Sequence, residues 1–334
     1  MRSKLSPSVA EVRRHVREAL LRHGVDSGDF VVVACSGGPD SMALAAALAF
    51  EGPKLGLTLG AVIVDHGIQE ATARVAAETK VTLEGLGYSK VVISKVTVGS
   101  EGGLEAAARS ARYEAIDEVA AEFDAKYVLL GHTLNDQAET VLLGLARGAG
   151  GRSLSAMSEL TGRYLRPLLG VTRATTVAAC VAEAISVWYD PQNSEERFTR
   201  VRVRETVLPL LETELGPGVT EALARTADQL REDSDLLDAL AERAYQEVVK
   251  SGPTSLTANV GLLAELHPAV RYRVIRMAGA TLGGHLHRSH VLEIDRLLTN
   301  WHGQKTLAVP SVRVERTGEN IVFKSTKTLK PGAC

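Results

Sequence analysis

Short apolar runs alternate with amphipathic stretches along the first half of the chain. The apolar runs predict four strands, at 30–34, 57–65, 91–98 and 127–130. The other stretches predict helices, the first opened by Ser6-Pro7 and closed by Gly24, and later ones at 69–86, 104–123 and 134–145. Strands that are apolar throughout and separated by helices are typical of a parallel sheet covered on both faces. Ligands bind such sheets at the carboxyl ends of the strands, so polar residues that follow a strand are the candidates for function.

The pattern changes in the second half of the chain. A Gly/Ser-rich stretch, 147–163, predicts a loop, and 171–185 predicts a further helix. Apolar residues near helical spacing within 219–250 predict one long helix. Gly252-Pro253 marks a break. Beyond it, strands are predicted at 305–309, 312–315 and 321–324.

Length and composition suit a globular protein of two domains. The chain has 334 residues, with 38 Lys and Arg against 40 Asp and Glu. We predict an α/β domain with a parallel sheet at 1–216, a connecting helix at 217–250 and a small α+β domain at 251–330. No apolar run reaches the ~20 residues of a membrane helix, and the N-terminal stretch lacks the apolar centre of a secretory signal. A soluble, cytoplasmic protein is therefore expected.

The cysteines exclude several classes of site. There are three of them, with no CxxC pair and no Cys/His spacing suited to a metal. A disulfide framework, a zinc ribbon and a cysteine-ligated iron–sulfur cluster are therefore not expected. We interpret Cys35 as a small buried residue.

A polar loop with two glycines follows the first predicted strand. The glycines allow a sharp turn and a close approach of the backbone to a ligand. Free N–H groups at the start of the next helix suit a phosphate, the serine hydroxyls can donate to phosphate oxygens, and the aspartate can hold magnesium. A plain turn with a serine cap is the alternative for a Gly-Gly pair alone. The loop consists of Ser36, Gly37, Gly38, Pro39, Asp40 and Ser41.

The complete string SGGPDS is more specific than its glycines. It lacks the lysine of a Walker loop and the GxGxxG of a dinucleotide fingerprint. It resembles the SGGxDS loop of the ATP pyrophosphatases, or PP-loop enzymes, and a strand and a helix flank it as in those enzymes. The resemblance implies that ATP is cleaved between its α and β phosphates, and that the loop holds the departing pyrophosphate.

Two polar groups follow or accompany the middle strands. Asp65 and His66 end the second predicted strand, where a solvated strand end is the simpler interpretation. Arg109 and Arg112 are three residues apart and share one face of the predicted helix 104–123. They are either surface residues or the partners of a nucleotide or another anion.

The segment after the fourth strand carries His132, Asp136 and Glu139. Within a helix, Asp136 and Glu139 face the same way. Two carboxylates on one face can hold a metal ion or receive an ammonium group. A helix cap with exposed acids is the alternative interpretation.

Five motifs, taken in order, resemble those of the tRNA(Ile)-lysidine synthetases. They are SGGPDS, VDHG, EAAARSARY, GHTLNDQAETVLLGLARGAG and RPLL. The block from Trp188 to Leu210 is similar to the segment that follows the family's nucleotide-binding sheet, and the C-terminal region resembles, more weakly, its first C-terminal domain. The resemblance implies an enzyme that joins L-lysine to C2 of the cytidine at the first anticodon position of tRNA(Ile) with a CAU anticodon. Adenylated cytidine is the implied intermediate, and AMP and pyrophosphate are released.

The resemblance also implies roles for individual residues, with ATP and Mg²⁺ as cofactors. Asp40 and Asp136 are the implied magnesium or ATP ligands. Asp136 and Glu139 are the implied binding residues for the substrate lysine. His132 and Arg112 are expected near ATP or the activated base. The implied catalytic residues are Asp40, Asp136, Glu139 and His132.

A run of arginines lies within the later similar block. Arg200, Arg202 and Arg204 are expected to hold either the lysine carboxylate or tRNA phosphates. The family often has a polar residue where this run has valines, so no single arginine is assigned to the carboxylate. Asn135 stands where the family commonly has a second acid, which weakens the metal prediction at Asp136.

Basic residues also cluster on the first helix and in the C-terminal region. A solvated charged face is the simpler interpretation of each cluster, but together they modestly favour a polyanionic partner such as tRNA. Aromatic residues make up only 4% of the chain, which does not support extensive base stacking. The clustered residues include Arg13, Arg14, Arg17, Arg22, Arg271, Arg273, Arg276, Arg288, Arg313, Arg316, Lys324, Lys327 and Lys330.

Two other functions compete with lysine ligation. The first is another PP-loop reaction, such as tRNA thiolation or amide formation, although the thiolases usually show CxxC pairs. The second is a nucleotide-binding module without catalysis. The carboxylates after a separate strand disfavour it, because simple binding does not require them.

Overall fold

The computed structural model describes residues 5–65, 70–96, 104–148, 150–190, 195, 197–252 and 255–326. The chain forms two compact units, which divide between Leu230 and Arg231. Each unit has its own sheet and its own hydrophobic core. None of the described helices is long and apolar enough to cross a membrane.

A six-stranded sheet forms the centre of the first unit. Its strands are β1 (Phe30–Ala34), β2 (Thr58–Asp65), β3 (Lys90–Lys95), β4 (Tyr127–Leu130), β5 (Leu160–Thr161) and β6 (Tyr164–Leu165). They lie in the order β3-β2-β1-β4-β6-β5, and all neighbours are parallel except β5 and β6. The predicted α/β fold with a parallel sheet is confirmed.

Helices cover both faces of this sheet. Val31 and Val33 of β1 pack on one face with the first two helices of the chain. Val32, between them, packs on the other face with the fourth helix. A strand buried on both faces has no polar face, which explains the continuous apolar run. The helices are α1 (Pro7–Arg22), α2 (Pro39–Glu51), α3 (Glu70–Gly85), α4 (Leu104–Glu122), α5 (Leu134–Ala146), α6 (Gly151–Leu154), α7 (Arg173–Ala182), α8 (Thr199–Arg202) and α9 (Leu208–Glu214), with a 3-10 turn at Pro53–Leu55 and a π-helical turn at Val203–Val207.

The stretch 147–163, predicted to be a loop, contains the short elements α6 and β5. A four-residue helix and a two-residue strand are too short to show a periodic pattern. The hairpin of β5 and β6 matters for the site, since β6 pairs with β4 and ends directly before Arg166. Arg166 therefore lies at the carboxyl edge of the sheet.

An antiparallel sheet forms the centre of the second unit. The helix α10 (Val219–Val248) contains the division between the units. The sheet order is β7 (Val249–Ser251), β8 (Ser255–Asn259), β11 (Asn320–Ser325), β10 (Val312–Thr317) and β9 (Leu307–Val309). The helices that follow α10 are α11 (Val260–Glu265), α12 (Pro268–Thr281) and α13 (Arg288–Thr299). Phe323 is fully buried in a core with Ile275 and Ile294.

Candidate active site

The loop after β1 turns sharply into α2 through two glycines. Gly37 has a left-handed φ of +82°, and a Cβ on it would lie 2.8 Å from Thr79 Oγ1. Its carbonyl accepts a hydrogen bond of 2.9 Å from the N–H of Trp188. Gly38 is the N-cap of α2, and Pro39 stands in the first turn, where its missing N–H costs nothing. Glycine is therefore required at Gly37, both for the turn and for the close approach of α3.

Two serines close the loop by hydrogen bonds. The Ser36 N–H donates to Ser41 Oγ at 3.1 Å, and Ser41 Oγ donates to the Gly38 carbonyl at 3.0 Å. Ser36 is exposed, whereas Ser41 is buried. Ser41 therefore shapes the loop from inside, and Ser36 lies at its surface. Cys35 is buried as expected, and its burial raises the pKa of its thiol above the ordinary value.

The end of β4 lies against this loop. A Cβ on Gly131 would lie 3.0 Å from the Ser41 nitrogen, so the chain after β4 passes directly beside the start of α2. Thr133 is the N-cap of α5, and Asp136 Oδ2 accepts the Thr133 N–H at 2.8 Å and its hydroxyl at 2.9 Å. This is a capping box, but the acid is buried, contrary to the exposed acids of the capping alternative. Capping uses Oδ2 and leaves Oδ1 to other partners.

Arg173, at the start of α7, joins three carboxylates from two helices. Its Nε lies 3.2 Å from Asp40 Oδ2 on α2. Its Nη2 lies 3.3 Å from Asp136 Oδ1, and its Nη1 lies 3.5 Å from Glu139 Oε1, both on α5. Asp40 also accepts the hydroxyl of Thr176 on α7. The aspartate of the loop and the acids after β4 are therefore parts of one cluster.

Sequence reasoning missed Arg173, although a local signal exists. A cation in the first turn of a helix opposes the positive end of the helix dipole, so an arginine there needs an acidic partner elsewhere. Asn135 Oδ1 accepts the Arg173 backbone N–H at 2.9 Å. Asn135 thus ties α5 to α7.

Glu139 is fully buried and surrounded by arginines. Arg204 reaches both of its oxygens, with Nε 2.7 Å from Oε1 and Nη2 3.1 Å from Oε2. Arg200 Nε lies 2.9 Å from Oε2, and its Nη2 lies 2.9 Å from Thr140 Oγ1. The structure therefore brings the predicted residues Glu139, Arg200 and Arg204 together. It leaves Arg202 outside, exposed and bonded to a backbone carbonyl of its own segment.

The two aspartates of the cluster have opposite shifts in pKa. Burial raises the pKa of Asp40 above its ordinary value, although the Arg173 charge and the Thr176 hydroxyl oppose this. Burial acts in the same direction on Asp136, but the Arg173 ion pair and the Thr133 N–H outweigh it, and the pKa lies below the ordinary value. Asp136 is therefore ionised at neutral pH.

His132 lies between β4 and α5 and is half-buried. Burial lowers its pKa to about 4, although the Asp136 charge opposes the shift. The imidazole is therefore neutral at neutral pH. Its Nδ1 is buried and has no hydrogen-bond partner among the described residues.

Other predicted residues have less direct support. Arg112 is exposed on α4, and the Arg109 guanidinium lies 5.0 Å from the centre of the Tyr113 ring. Asp65 is buried and accepts the Thr72 hydroxyl at 2.8 Å. His66 of the VDHG motif lies outside the described residues.

Some arginines of the predicted basic clusters are neutralised by acids. Arg271 Nε lies 2.7 Å from Asp295 Oδ1, and both side chains are buried. Arg273 Nε lies 2.7 Å from Asp238 Oδ1. The sequence predicted Arg271 to be either a solvated charge or a phosphate contact. The structure shows neither, because Arg271 is buried in an ion pair with Asp295. Lys327 and Lys330 lie outside the described residues.

The acids suit a magnesium ion that is shared with a nucleotide. In the described part of the chain, no three His, Cys, Asp or Glu side chains gather as a metal cage. Magnesium at phosphate sites takes one or two carboxylates and completes its shell with phosphate oxygens and water. Asp40 and Asp136, which share the Arg173 guanidinium, supply such a pair.

Two family models match the chain. Residues 10–211 match a PP-loop domain, and residues 259–319 match a TilS substrate binding domain. A tRNA(Ile)-lysidine synthase from Thermobifida fusca is 50% identical over 322 residues, which cover 96% of this chain and 98% of that protein. The enzyme of that name from Streptomyces coelicolor is 48% identical, covering 90% of this chain and 87% of its own length. That from Mycobacterium tuberculosis is 46% identical, covering 91% of each.

One solved structure is similar in fold over two thirds of this chain. A U34-tRNA thiolase from Methanococcus maripaludis superposes with a TM-score of 0.57, covering 67% of this chain and 80% of that chain. The two sequences are 19% identical. At this identity the likeness extends to the fold alone.

Proposed function

The chain belongs to the tRNA(Ile)-lysidine synthase family, and from this premise we propose that it joins L-lysine to the first anticodon cytidine of tRNA(Ile) with a CAU anticodon. The C2 oxygen of the cytidine attacks the α-phosphorus of ATP, and pyrophosphate leaves. The lysine ε-amine then attacks C2, and AMP leaves with the former C2 oxygen. A cytoplasmic location is part of the proposal, because tRNA, ATP and lysine meet there.

The loop of residues 36–41 is the proposed receptor for pyrophosphate. Pyrophosphate carries several negative charges, and phosphoryl transfer depends mainly on positioning and on stabilising charge. The sharp turn at Gly37 and the free N–H groups at the start of α2 provide neutral donors for such an anion. Ser36, at the surface of the loop, adds a hydroxyl.

Asp40 and Asp136 are the proposed ligands of Mg²⁺ bound with ATP. When bound, the ion supplies positive charge that screens the phosphates and stabilises the leaving pyrophosphate. The Arg173 guanidinium contacts both carboxylates in the free protein, at 3.2 and 3.3 Å. In the free protein, Arg173 keeps the two like charges together.

Asp136 is the proposed acceptor for the substrate ammonium. The free lysine side chain has a pKa near ~10.4, so it must lose a proton before it attacks. Asp136 is ionised. Its Oδ1 lies 3.3 Å from Arg173 Nη2 and 3.6 Å from Arg204 Nη2. An ionised carboxylate in this position binds the ammonium and then accepts its proton. His132 is neutral and lies near the reacting base in this proposal.

Glu139 contributes to lysine binding by orienting arginines. Both of its oxygens are already bonded, to Arg200 and Arg204, and it has no exposed surface. Arg200 is the more exposed of the two, at 36% of its side chain against 24%. These two guanidinium groups are proposed to bind either the lysine α-carboxylate or tRNA phosphates, and Arg112 remains a proposed contact of the nucleotide.

Residues 251–330 are the proposed tRNA-binding domain, and 1–216 the proposed catalytic domain. The support is the substrate-binding model matched at 259–319. Arg276 and Arg288 are better candidates for phosphate contacts than Arg271, because Arg271 is buried against Asp295.

The observation that carries the proposal is the joining of Asp40 and Asp136 through Arg173, because it connects the ATP loop with the acids for lysine. The test is incubation of the protein with ATP, Mg²⁺, labelled lysine and a panel of purified tRNAs. We expect label in the tRNA(Ile) with the CAU anticodon and in no other. Thiolation, with no label transferred, would favour the alternative PP-loop reaction, which the absence of a CxxC pair in the sequence already disfavours.

A further inference from the structure

Two arginines are buried in the described part of the chain, and only one of them has an acidic partner. Arg166 and Arg271 are each 7% exposed. Arg271 forms an ion pair of 2.7 Å with Asp295. Arg166 has no ion pair with any described carboxylate, although it belongs to the RPLL motif that no proposed role yet uses. A buried charge without a counterion is costly, so Arg166 calls for an explanation.

The hydrogen bonds of Arg166 fix its position but do not neutralise it. Its Nη1 donates to the Ser158 carbonyl at 3.0 Å and to Thr161 Oγ1 at 3.2 Å, both neutral acceptors. Its Nε is buried and has no partner among the residues that the structure describes. The guanidinium is thus held through Nη1, while the buried Nε–H has no acceptor among the described residues.

A second unused nitrogen lies at the same edge of the sheet. Leu129 pairs with Leu165 in the parallel register of β4 and β6, so Arg166 and His132 follow the carboxyl ends of neighbouring strands. His132 Nδ1 is also buried without a described partner. The Arg166 charge is among the influences that lower the pKa of His132, which agrees with their proximity. Gln137 exchanges hydrogen bonds of 2.9 Å with the backbone of Met157, which ties the stretch before β5 to α5.

We propose that Arg166, together with His132, binds an oxyanion of a substrate in the active site. The identity of the possible oxyanions rests on the proposed function: they are the α-phosphate of the nucleotide and the α-carboxylate of lysine. The Arg166 Nε–H donates to the oxyanion, and His132 donates from Nδ1 in the tautomer that carries the proton there. Binding supplies a counterion to Arg166, which has none among the described residues, as Asp295 does for Arg271.

Ligand binding without tRNA or turnover tests this proposal. Affinities of the full chain for AMP, for pyrophosphate and for L-lysine are measured separately by titration calorimetry. Arg166→Gln removes the charge and the Nε–H, and Arg163→Gln on the same hairpin is the matched control, because Arg163 is exposed. A lost charge-assisted hydrogen bond corresponds to about tenfold or more in affinity.

We expect Arg166→Gln to weaken binding of either AMP or lysine by about tenfold or more, to leave pyrophosphate binding unchanged, and Arg163→Gln to change none of the three. The weakened ligand identifies the oxyanion. Unchanged binding of all three ligands overturns the proposal, and so does an equal loss of all three, which indicates a structural role. If Arg166→Gln does not fold, Arg166→Lys keeps the charge without the Nε–H and is judged by the same outcomes. Lysine transfer by the wild-type protein tests the proposed function independently.

Discussion

Replacement of Arg173 by methionine tests the acid cluster at its centre. The change removes a charge that contacts Asp40, Asp136 and Glu139 at 3.2, 3.3 and 3.5 Å. Glu139 keeps Arg200 and Arg204, but the two aspartates are left close together without this shared counterion. We expect a loss of stability at neutral pH, and a loss of lysine-dependent AMP release.

The size of the effect follows from burial and distance. Removing one partner of a buried ion pair costs about 3–5 kcal/mol. The Arg173 contacts are longer than ideal, and 23% of its side chain is exposed, so we expect about 2 kcal/mol at neutral pH. Arg74→Met is the matched control. Its ion pair with Glu78 is 3.6 Å long and largely exposed, and such pairs contribute about 0–1 kcal/mol.

The dependence on pH distinguishes charge from packing. The pKa of Asp136 lies below its ordinary value, so its ionised form contributes stability above the unfolded pKa, and this contribution is lost as the pH falls through the folded pKa. The pKa of Asp40 is already raised by burial and rises further without Arg173. The difference in unfolding free energy between wild type and Arg173→Met should therefore shrink as both acids become protonated, below about pH 4. Urea denaturation at neutral pH and near pH 3 measures this difference, and an equal difference at both values would show that charge is not its cause.

Three further substitutions give separate results. Gly37→Ala places a Cβ 2.8 Å from Thr79 Oγ1 at a φ of +82°. Thermal denaturation should show a loss in unfolding free energy of about 1–3 kcal/mol. The loss should be smaller for the control Gly24→Ala, where φ is +67° and nothing lies within 4 Å of the added Cβ. Asp136→Asn should fold, because an amide oxygen can still accept from Thr133, but should stop lysine-dependent AMP release, and near-normal turnover would remove Asp136 from the site. Arg271→Met should destabilise the second unit by about 3–5 kcal/mol in chemical denaturation, because it leaves Asp295 buried and unpaired; a change below about 1 kcal/mol contradicts that.

The central sheet is predictable because its chemistry repeats along the chain. β1, β2 and β4 are buried on both faces or nearly so, and burial requires a continuous apolar run. β3, at the edge of the sheet, is only half-buried but carries a run of three apolar residues. The loop at 36–41 is predictable because its sharp turn needs glycine, as the φ of +82° at Gly37 shows. The strands β5 and β6 have two residues each and β7 has three, too few to show an alternating pattern. β8, with five residues, was not predicted.

The partners of charged residues are not predictable in the same way. The sequence does not indicate that Arg173 joins three acids or that Arg271 is paired with Asp295. Nor does it indicate that Arg166 has no acidic partner among the described residues. Each outcome depends on contacts between residues distant in sequence, such as the 133 positions that separate Arg173 from Asp40. That Asp136 and Glu139 lie on the same face was predictable, because both belong to one helix.

The fate of the C2 oxygen of the anticodon cytidine shows whether this atom attacks ATP. In the proposed reaction this oxygen attacks ATP in the loop, and the lysine bound at the acids then displaces it as part of AMP. The transcript of tRNA(Ile) is prepared with ¹⁸O at C2 of that cytidine, and the AMP released in the presence of lysine is analysed by mass spectrometry. We expect one ¹⁸O atom in each AMP formed with lysidine. AMP without the label, or label retained in the tRNA product, would contradict the proposed reaction.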